Sequence, residues 1–307
     1  MITWVIGAGG LLGSSIVRKS DNVFPAEKVP WQDPSAAIAT LQSQAEQFQR
    51  TAAAQEWSII WAAGRATTAS TATETAIELS IFAALVNAIR TFLPAGEGGV
   101  FIASSAGGIY SGSQDPPFDR HSAPQPLGAY GELKLAQEQL AIEVLHDFCP
   151  VVIGRMSNLY GPGQDLTKLQ GLISRLARAS IDKVPLTMFV SLDTLRDYIY
   201  VDDAASVISY WMYEVPKETG SPIVAVIASG QSVSLGYVIA LMRDITRTRI
   251  PIAYGAHASA AVQSRDLRLI PTNVEDTSRL VSTPFVVGAK QVYLDILARY
   301  QTDSTTR

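Results

Sequence analysis

An apolar run, Ile2 to Ile6, passes directly into Gly7-Ala-Gly-Gly-Leu-Leu-Gly13 and then into residues of helical composition. Glycines at 7, 9, 10 and 13 permit a tight turn and let backbone N–H groups approach a pyrophosphate, while the following helix N-terminus adds favourable potential. A glycine-rich β–α turn without a ligand would use the same residue types. The strand-turn-helix setting favours nucleotide binding. Gly7, Gly10, Leu11, Leu12 and Gly13 are therefore the candidate cradle.

The pattern downstream extends that start into an α/β fold, a Rossmann-like doubly wound parallel sheet with a smaller C-terminal substrate-binding lobe. Ser58 to Trp61, Val100 to Ala103, Val151 to Ile153 and Ile223 to Ile227 are compact apolar runs of the kind that buried parallel strands require. A second strand is expected within Val23 to Trp31, where Pro25 and Pro30 obscure its limits. Ser14 to Lys19 continues a helix begun in the glycine loop, and further helices are expected over Ser35 to Gln55, Leu79 to Phe92 and Ala129 to Phe148. In the last, Leu133, Ala136, Leu140 and Val144 recur at helical spacing and should face the sheet. Ser234 is a plausible N-cap for a helix to Ile245. Residues 1 to 160 read as the nucleotide-binding domain, with strands returning from about 190 to 228, and 161 to 307 mainly as the second lobe.

Composition narrows the class. With 307 residues, 47% apolar and 17% charged, the chain can bury a sizeable core and is not disordered. A net charge of -4 leaves no surplus of Lys and Arg to neutralise a phosphate backbone, so nucleic acid is not the expected partner. The one cysteine, Cys149, excludes an internal disulfide framework and fits a reducing cytoplasm. The apolar stretch Ile77 to Leu93 is broken by Glu78, Asn87 and Arg90, and no membrane span or secretory leader is expected. His121, His146 and His257 are scattered, so no metal site is expected.

Two further motifs carry chemistry. Tyr130 and Lys134 stand four residues apart, on one helix face, where an ammonium favours the phenolate and makes the tyrosine a usable acid or base. The pair taken alone is also an ordinary amphipathic surface pair. Phe101-Ile-Ala-Ser-Ser-Ala-Gly-Gly-Ile-Tyr110 ends an expected strand with two hydroxyls, at the carboxyl edge where open α/β sheets bind ligands.

With GAGGLLG at 7 to 13, SSAGGIY at 104 to 110, YGELK at 130 to 134, RMSNLYGPGQ at 155 to 164 and RDYIYVDDAA at 196 to 205, the chain resembles the extended short-chain dehydrogenase/reductase superfamily, in its NAD-dependent epimerase/dehydratase branch. The resemblance spans nearly the whole chain. It implies an enzyme with NAD or NADP as cofactor, in which Tyr130 transfers a proton, Lys134 holds the nicotinamide ribose hydroxyls and Ser105 hydrogen-bonds the reacting hydroxyl or carbonyl. Ser104 is the alternative serine. Ala62 and Ala63 match the loop that passes the adenine-ribose side, with Trp61 where His is common. Asn158 would touch substrate at the lobe junction. Arg196 lies in a block that joins the lobes near the substrate cleft, and that block, with Asp202 and Asp203, reads mainly as architecture. Arg265 or Arg268 would meet the diphosphate of a nucleotide-diphosphate sugar. A homodimer through the helices near 79 to 92 and 129 to 148 is also implied.

Departures from the family pattern limit these inferences. Family members that prefer NAD end their second strand with an acid; Glu27, 20 positions beyond Gly7, and Asp33 both approximate that place, and the choice of NAD or NADP stays open. Dehydratases carry an Asp-Glu pair after the catalytic hydroxyl, whereas Ala106-Gly107 stand here, which argues against dehydration. Epimerisation or ketoreduction of a nucleotide-activated sugar is the expectation. The alternatives are a dinucleotide-binding sensor without turnover and a reductase of a non-sugar ketone, whose pocket residues 162 to 183 would help to form.

Overall fold

The computed structural model describes residues 1–167, 171–214, 219–256, 258–272 and 277–305. Strand β1 (Ile2–Ile6) leads into helix α1 (Leu11–Lys19), then α2 (Pro34–Ala52), β2 (Trp57–Trp61) and α3 (Ala72–Thr91). Next come β3 (Gly98–Ser105), the single turn α4 (Ala106–Ile109), α5 (Ala129–Leu145), β4 (Val151–Met156) and β5 (Asn158–Tyr160). The second half holds α6 (Leu172–Asp182), β6 (Leu186–Met188), β7 (Leu195–Tyr200), α7 (Val201–Glu214) and β8 (Ile223–Ile227). It ends with β9 (Ser232–Ser234), α8 (Leu235–Thr246), β10 (Ile252–Tyr254), β11 (Asp266–Leu267), α9 (Thr277–Leu280) and α10 (Phe285–Thr305).

Five parallel strands in the order β1-β2-β3-β4-β8 form the main sheet. Both faces are covered, by α1 and α7 on one side and by α2, α3 and α5 on the other. That is why the strands are buried throughout and mostly apolar rather than alternating. Trp4, Phe24, Phe48 and Trp57 pack edge-on or tilted at 5.3 to 6.5 Å in the core beside α2.

The expected second strand is reduced to one bridge, Thr3 with Val23. Phe24 N–H donates to Thr3 O at 2.8 Å, and Pro25 then offers no N–H to continue the ladder. No described strand lies beyond β1 on that edge, where the sheet ends but for this bridge.

The helix begun in the glycine loop starts at Leu11. Two other expectations are corrected. Helix α3 starts at Ala72 rather than near Leu79, because Thr71 and Glu74 form a reciprocal capping box. In α5 the deepest positions are Gly131, Leu133, Lys134, Gln137, Glu138, Ala141 and Leu145, while Ala136, Leu140 and Val144 are half-buried. Polar side chains occupy that inner stripe for reasons given below. Ser234 does cap α8, accepting from Tyr237 N–H at 3.1 Å.

After β5 the chain builds a second core around Tyr160, Leu176, Tyr198, Tyr200, Val238 and Ile296. Strands β5, β7 and β11 run parallel there, β9 joins β7 antiparallel, and β6 pairs with β10. Between these crossings β8 returns to the main sheet. A small cluster of Ile109, Tyr110, Phe118, Leu267 and Leu269 fastens this half over the end of β3. By length and composition alone, α3 and the segment Thr277–Thr302 are apolar enough to cross a membrane; in α3 the face with Ile81, Phe82, Leu85 and Ile89 is buried in the fold.

Candidate active site

Sheet register puts the ends of the strands at one edge. Ile6 is level with Trp61, Trp61 with Ile102, and Ser105 with Met156. The glycine loop, Ala62–Ala63, the Ser104–Ser105 pair and Asn158 thus emerge together at the carboxyl edge of parallel strands, where such sheets bind ligands.

The glycine loop leaves no room for side chains where it folds back. Gly7 has φ +93, and a Cβ there would lie 2.6 Å from Ala63 N. One on Gly13 would lie 2.1 Å from the Gly7 carbonyl oxygen. Gly10 caps α1 without any side-chain hydrogen bond, so the N–H groups of Leu11, Leu12 and Gly13 in the first turn have neither an intrahelical nor a capping acceptor. Beside this turn opens a cleft of about 720 Å³ bordered by Gly7, Gly10, Ala62, Ala63, Glu27 and Glu78. A donor-lined helix end opening on a cleft of that size fits a dinucleotide. Glu27 borders the cleft, whereas Asp33 is spent on capping α2 through Ala36 N–H at 3.0 Å.

Ser104 and Ser105 face opposite ways, as successive strand residues must. Ser104 is buried and donates to Glu138 Oε1 at 2.5 Å. Glu138 also receives Arg155 Nε and, at 2.8 Å, Nη2, and Arg155 Nη1 donates to the Tyr110 hydroxyl at 2.8 Å. This closed network explains the buried polar stripe of α5 and commits Ser104 to structure. Ser105 turns the other way. It accepts from Gly108 N–H at 3.2 Å, and the Tyr130 ring packs over that same turn. The approach needs small residues: a Cβ on Gly108 would lie 3.1 Å from the Tyr130 ring, and one on Gly131 would lie 2.3 Å from the Gly108 carbonyl.

Lys134 Nζ lies 6.0 Å from the centre of the Tyr130 ring and donates to Gln137 Oε1 at 2.9 Å. Burial pushes the Tyr130 phenol above its usual pKa; the Ser105 side chain works against that shift and the Glu78 carboxylate adds to it. The expectation that the lysine leaves the phenol acidified is corrected here, because desolvation wins. Burial likewise lowers the Lys134 pKa, with Glu78 and Glu138 opposing.

The other candidates lie further out. Asn158 donates to the Asp197 carbonyl at 2.8 Å. Arg196 is buried and donates to the Leu195 carbonyl at 2.8 Å. Asp197, fully buried, accepts from Ser229 N–H and Oγ–H, both at 2.9 Å; Asp203 accepts from Thr283, and Asp202 from Arg18. Arg265 is paired with Asp193 at the surface, and Arg268 with Asp266. His257 and residues 168–170 fall outside the described residues. Sequence reasoning missed Glu78, Gln137 and Glu138, which no local motif singles out.

The model of the NAD-dependent epimerase/dehydratase family matches residues 3–228. The chain belongs to that family. A dTDP-L-rhamnose 4-epimerase of Burkholderia thailandensis is 32% identical over 114 residues, 36% of this chain and 31% of that protein. A dTDP-4-dehydro-6-deoxyglucose reductase of Escherichia coli is 30% identical over 141 residues, 46% of this chain and 43% of that one. The chain thus matches less than half the length of these curated relatives. Among solved structures, the Thermus thermophilus UDP-glucose 4-epimerase complex with NAD aligns with a TM-score of 0.76 at 18% identity, covering 97% of this chain and 99% of that one. MoeE5 in complex with UDP-glucose and NAD gives 0.77 at 22% with the same coverage. These likenesses bear out the Rossmann-like fold, and the family match bears out a dinucleotide-dependent enzyme class.

Proposed function

We propose that this protein is an NAD(P)-dependent epimerase or 4-keto reductase acting on a nucleotide-activated sugar, with Ser105, Tyr130 and Lys134 as its reacting group. The observation that carries the reading is Tyr130 packed over the Ser105–Gly108 turn, four residues from buried Lys134 and at the same sheet edge as the glycine cradle. When bound, the dinucleotide supplies hydride transfer at its nicotinamide ring. Gly7, Gly10, Leu11, Leu12 and Gly13 would hold its pyrophosphate, Ala62 and Ala63 its adenosine side, and Lys134 its ribose hydroxyls. Ser105 donates to the sugar oxygen and orients it toward Tyr130. Tyr130 gives a proton to that oxygen in reduction and takes it back in oxidation. A phenol whose pKa is raised by burial rests protonated, which suits the reducing direction. Asn158, Arg196 and Arg265 are proposed on the sugar-nucleotide side, Arg265 after release from Asp193.

We also infer a cytoplasmic homodimer formed through α3 and α5, with Ile77 on α3 and Phe148 in the turn after α5 both exposed. Light scattering checks the mass. The activity is tested with UDP-, GDP- and dTDP-hexoses and their 4-keto forms, with and without NADH or NADPH. A reductase consumes one equivalent of reduced dinucleotide per product, and an epimerase interconverts its sugars without net consumption. Binding with no turnover of any sugar would favour the sensor reading, and turnover of simple ketones alone the non-sugar one. Absence of thermal stabilisation by either dinucleotide would overturn the proposal, since saturation at 100 times Kd should add about 2.7 kcal/mol.

A further inference from the structure

One carboxylate beside this site is bound as if to present half of itself. Glu78 projects from α3 toward the loop after β2, where its Oε2 accepts backbone N–H groups from Arg65 at 2.8 Å and Ala66 at 2.9 Å. Its Oε1 is buried without a hydrogen-bond partner and lies 3.9 Å from Lys134 Nζ. Both side chains are nearly inaccessible, at 11% and 7% exposure. A buried acceptor left unmade costs on the order of 1–3 kcal/mol, so a fold that fixes one at this place does so against its own stability.

The groups facing the amine differ in what they can offer it. Glu138, on the same helix, has its charge matched by the Arg155 guanidinium on β4 and its oxygens taken by Ser104 and Arg155. Gln137 gives a neutral acceptor. Tyr130 holds its proton. Ser105 is uncharged. The Arg65 guanidinium, on the loop beside Glu78, is held by the Trp31 carbonyl and Gln32 Oε1, both at 3.0 Å. Glu78 therefore presents the carboxylate charge nearest Lys134 that no guanidinium neutralises.

We propose that Glu78 is a positioning residue that keeps Lys134 an ammonium ion behind Gly64 at the cleft wall, and so sets the pH range over which Tyr130 exchanges its proton. The inference rests on the catalytic reading above. Burial strips charge from an amine, and a carboxylate within about 4 Å restores it. Two N–H donors fix the distance, so the carboxylate cannot swing to close the gap and capture the amine. With Oε1 uncommitted, the same oxygen can accept a hydroxyl from whatever the ammonium holds.

The test compares wild type with Glu78→Gln, following both kcat and NADH affinity by fluorescence titration across pH. The glutamine keeps an oxygen for the Arg65 and Ala66 N–H groups but loses the charge. Lys134 should then deprotonate at lower pH and Tyr130 also at lower pH, because Glu78 raises both. The alkaline limb of the kcat profile in the reducing direction, and the pH at which NADH affinity declines, should move toward acid by about 1 pH unit. Adding Gln137→Glu to Glu78→Gln puts a carboxylate on the other side of the amine and should bring the alkaline limb back. Superimposable profiles for wild type and Glu78→Gln would overturn the proposal. Should Glu78→Gln fail to fold, Gln137→Glu alone must move the alkaline limb upward, and no movement overturns it equally. Wild type that binds NADH and turns over sugar while the variants stay unshifted removes only the role of Glu78. Wild type that binds no dinucleotide removes the catalytic reading and this role with it.

Discussion

Arg155 and Arg265 each meet one carboxylate, one pair beneath the site and the other on the outer half. Arg155 and Glu138 are 7% and 3% exposed and share Ser104 and Tyr110 as further partners. Arg265 and Asp193 are 75% and 51% exposed. The first pair fixes the backs of β3, β4 and α5 relative to one another, which holds the Ser105 turn against Tyr130. The second can open at little cost. The first pair gives rigidity, while the second keeps its charges where a ligand could recruit them.

Removing one partner of each pair should expose that contrast most strongly. Arg155→Met leaves Glu138 buried and unpaired and should cost roughly 3–5 kcal/mol, lowering the melting temperature by roughly 5–10 °C in calorimetry. A stable Arg155→Met variant would mean that the two pairs are equivalent. Next in size is the cradle. Gly13→Val drives a side chain into the Gly7 carbonyl, and dinucleotide affinity measured by titration should fall on the order of 100-fold, about 2.7 kcal/mol.

Much of the site-bearing half was legible because its signals are local. The glycines of 7 to 13 need their neighbours only, and Tyr130 and Lys134 share a face by helical spacing alone. The choice between Ser104 and Ser105 was not legible, because adjacent strand residues alternate and only Glu138, 34 residues away, shows which side is inward. Pro25 marked the second strand as uncertain, and its truncation to one bridge follows from the missing N–H. Glu78 looked like an interruption in an apolar helix; its partners sit on a loop 12 and 13 residues back and on another helix. Arg265 carried no signal that Asp193 would engage it, since the two lie 72 residues apart.

Smaller effects belong to the outer half and to groups that take no part. Arg265→Ala should change stability by less than about 1 kcal/mol, with any loss appearing in the KM for a sugar nucleotide instead. A large drop in melting temperature would show that the exposed pair is structural after all. Cys149 is buried, and burial pushes its thiol up to about 12. In the folded protein at neutral pH it should resist thiol-directed alkylation, as mass spectrometry of the intact chain would record, and should react once the chain is denatured.

The account depends most on Tyr130 standing between a substrate oxygen and a bound dinucleotide. Replacing it by phenylalanine removes one hydroxyl from a ring packed over Gly108 and leaves the glycine cradle untouched. Side-by-side measurement of kcat and dinucleotide Kd for Tyr130→Phe should give a loss of about 10²- to 10⁴-fold in kcat with Kd within about twofold of wild type. Undiminished kcat in that variant would contradict the account.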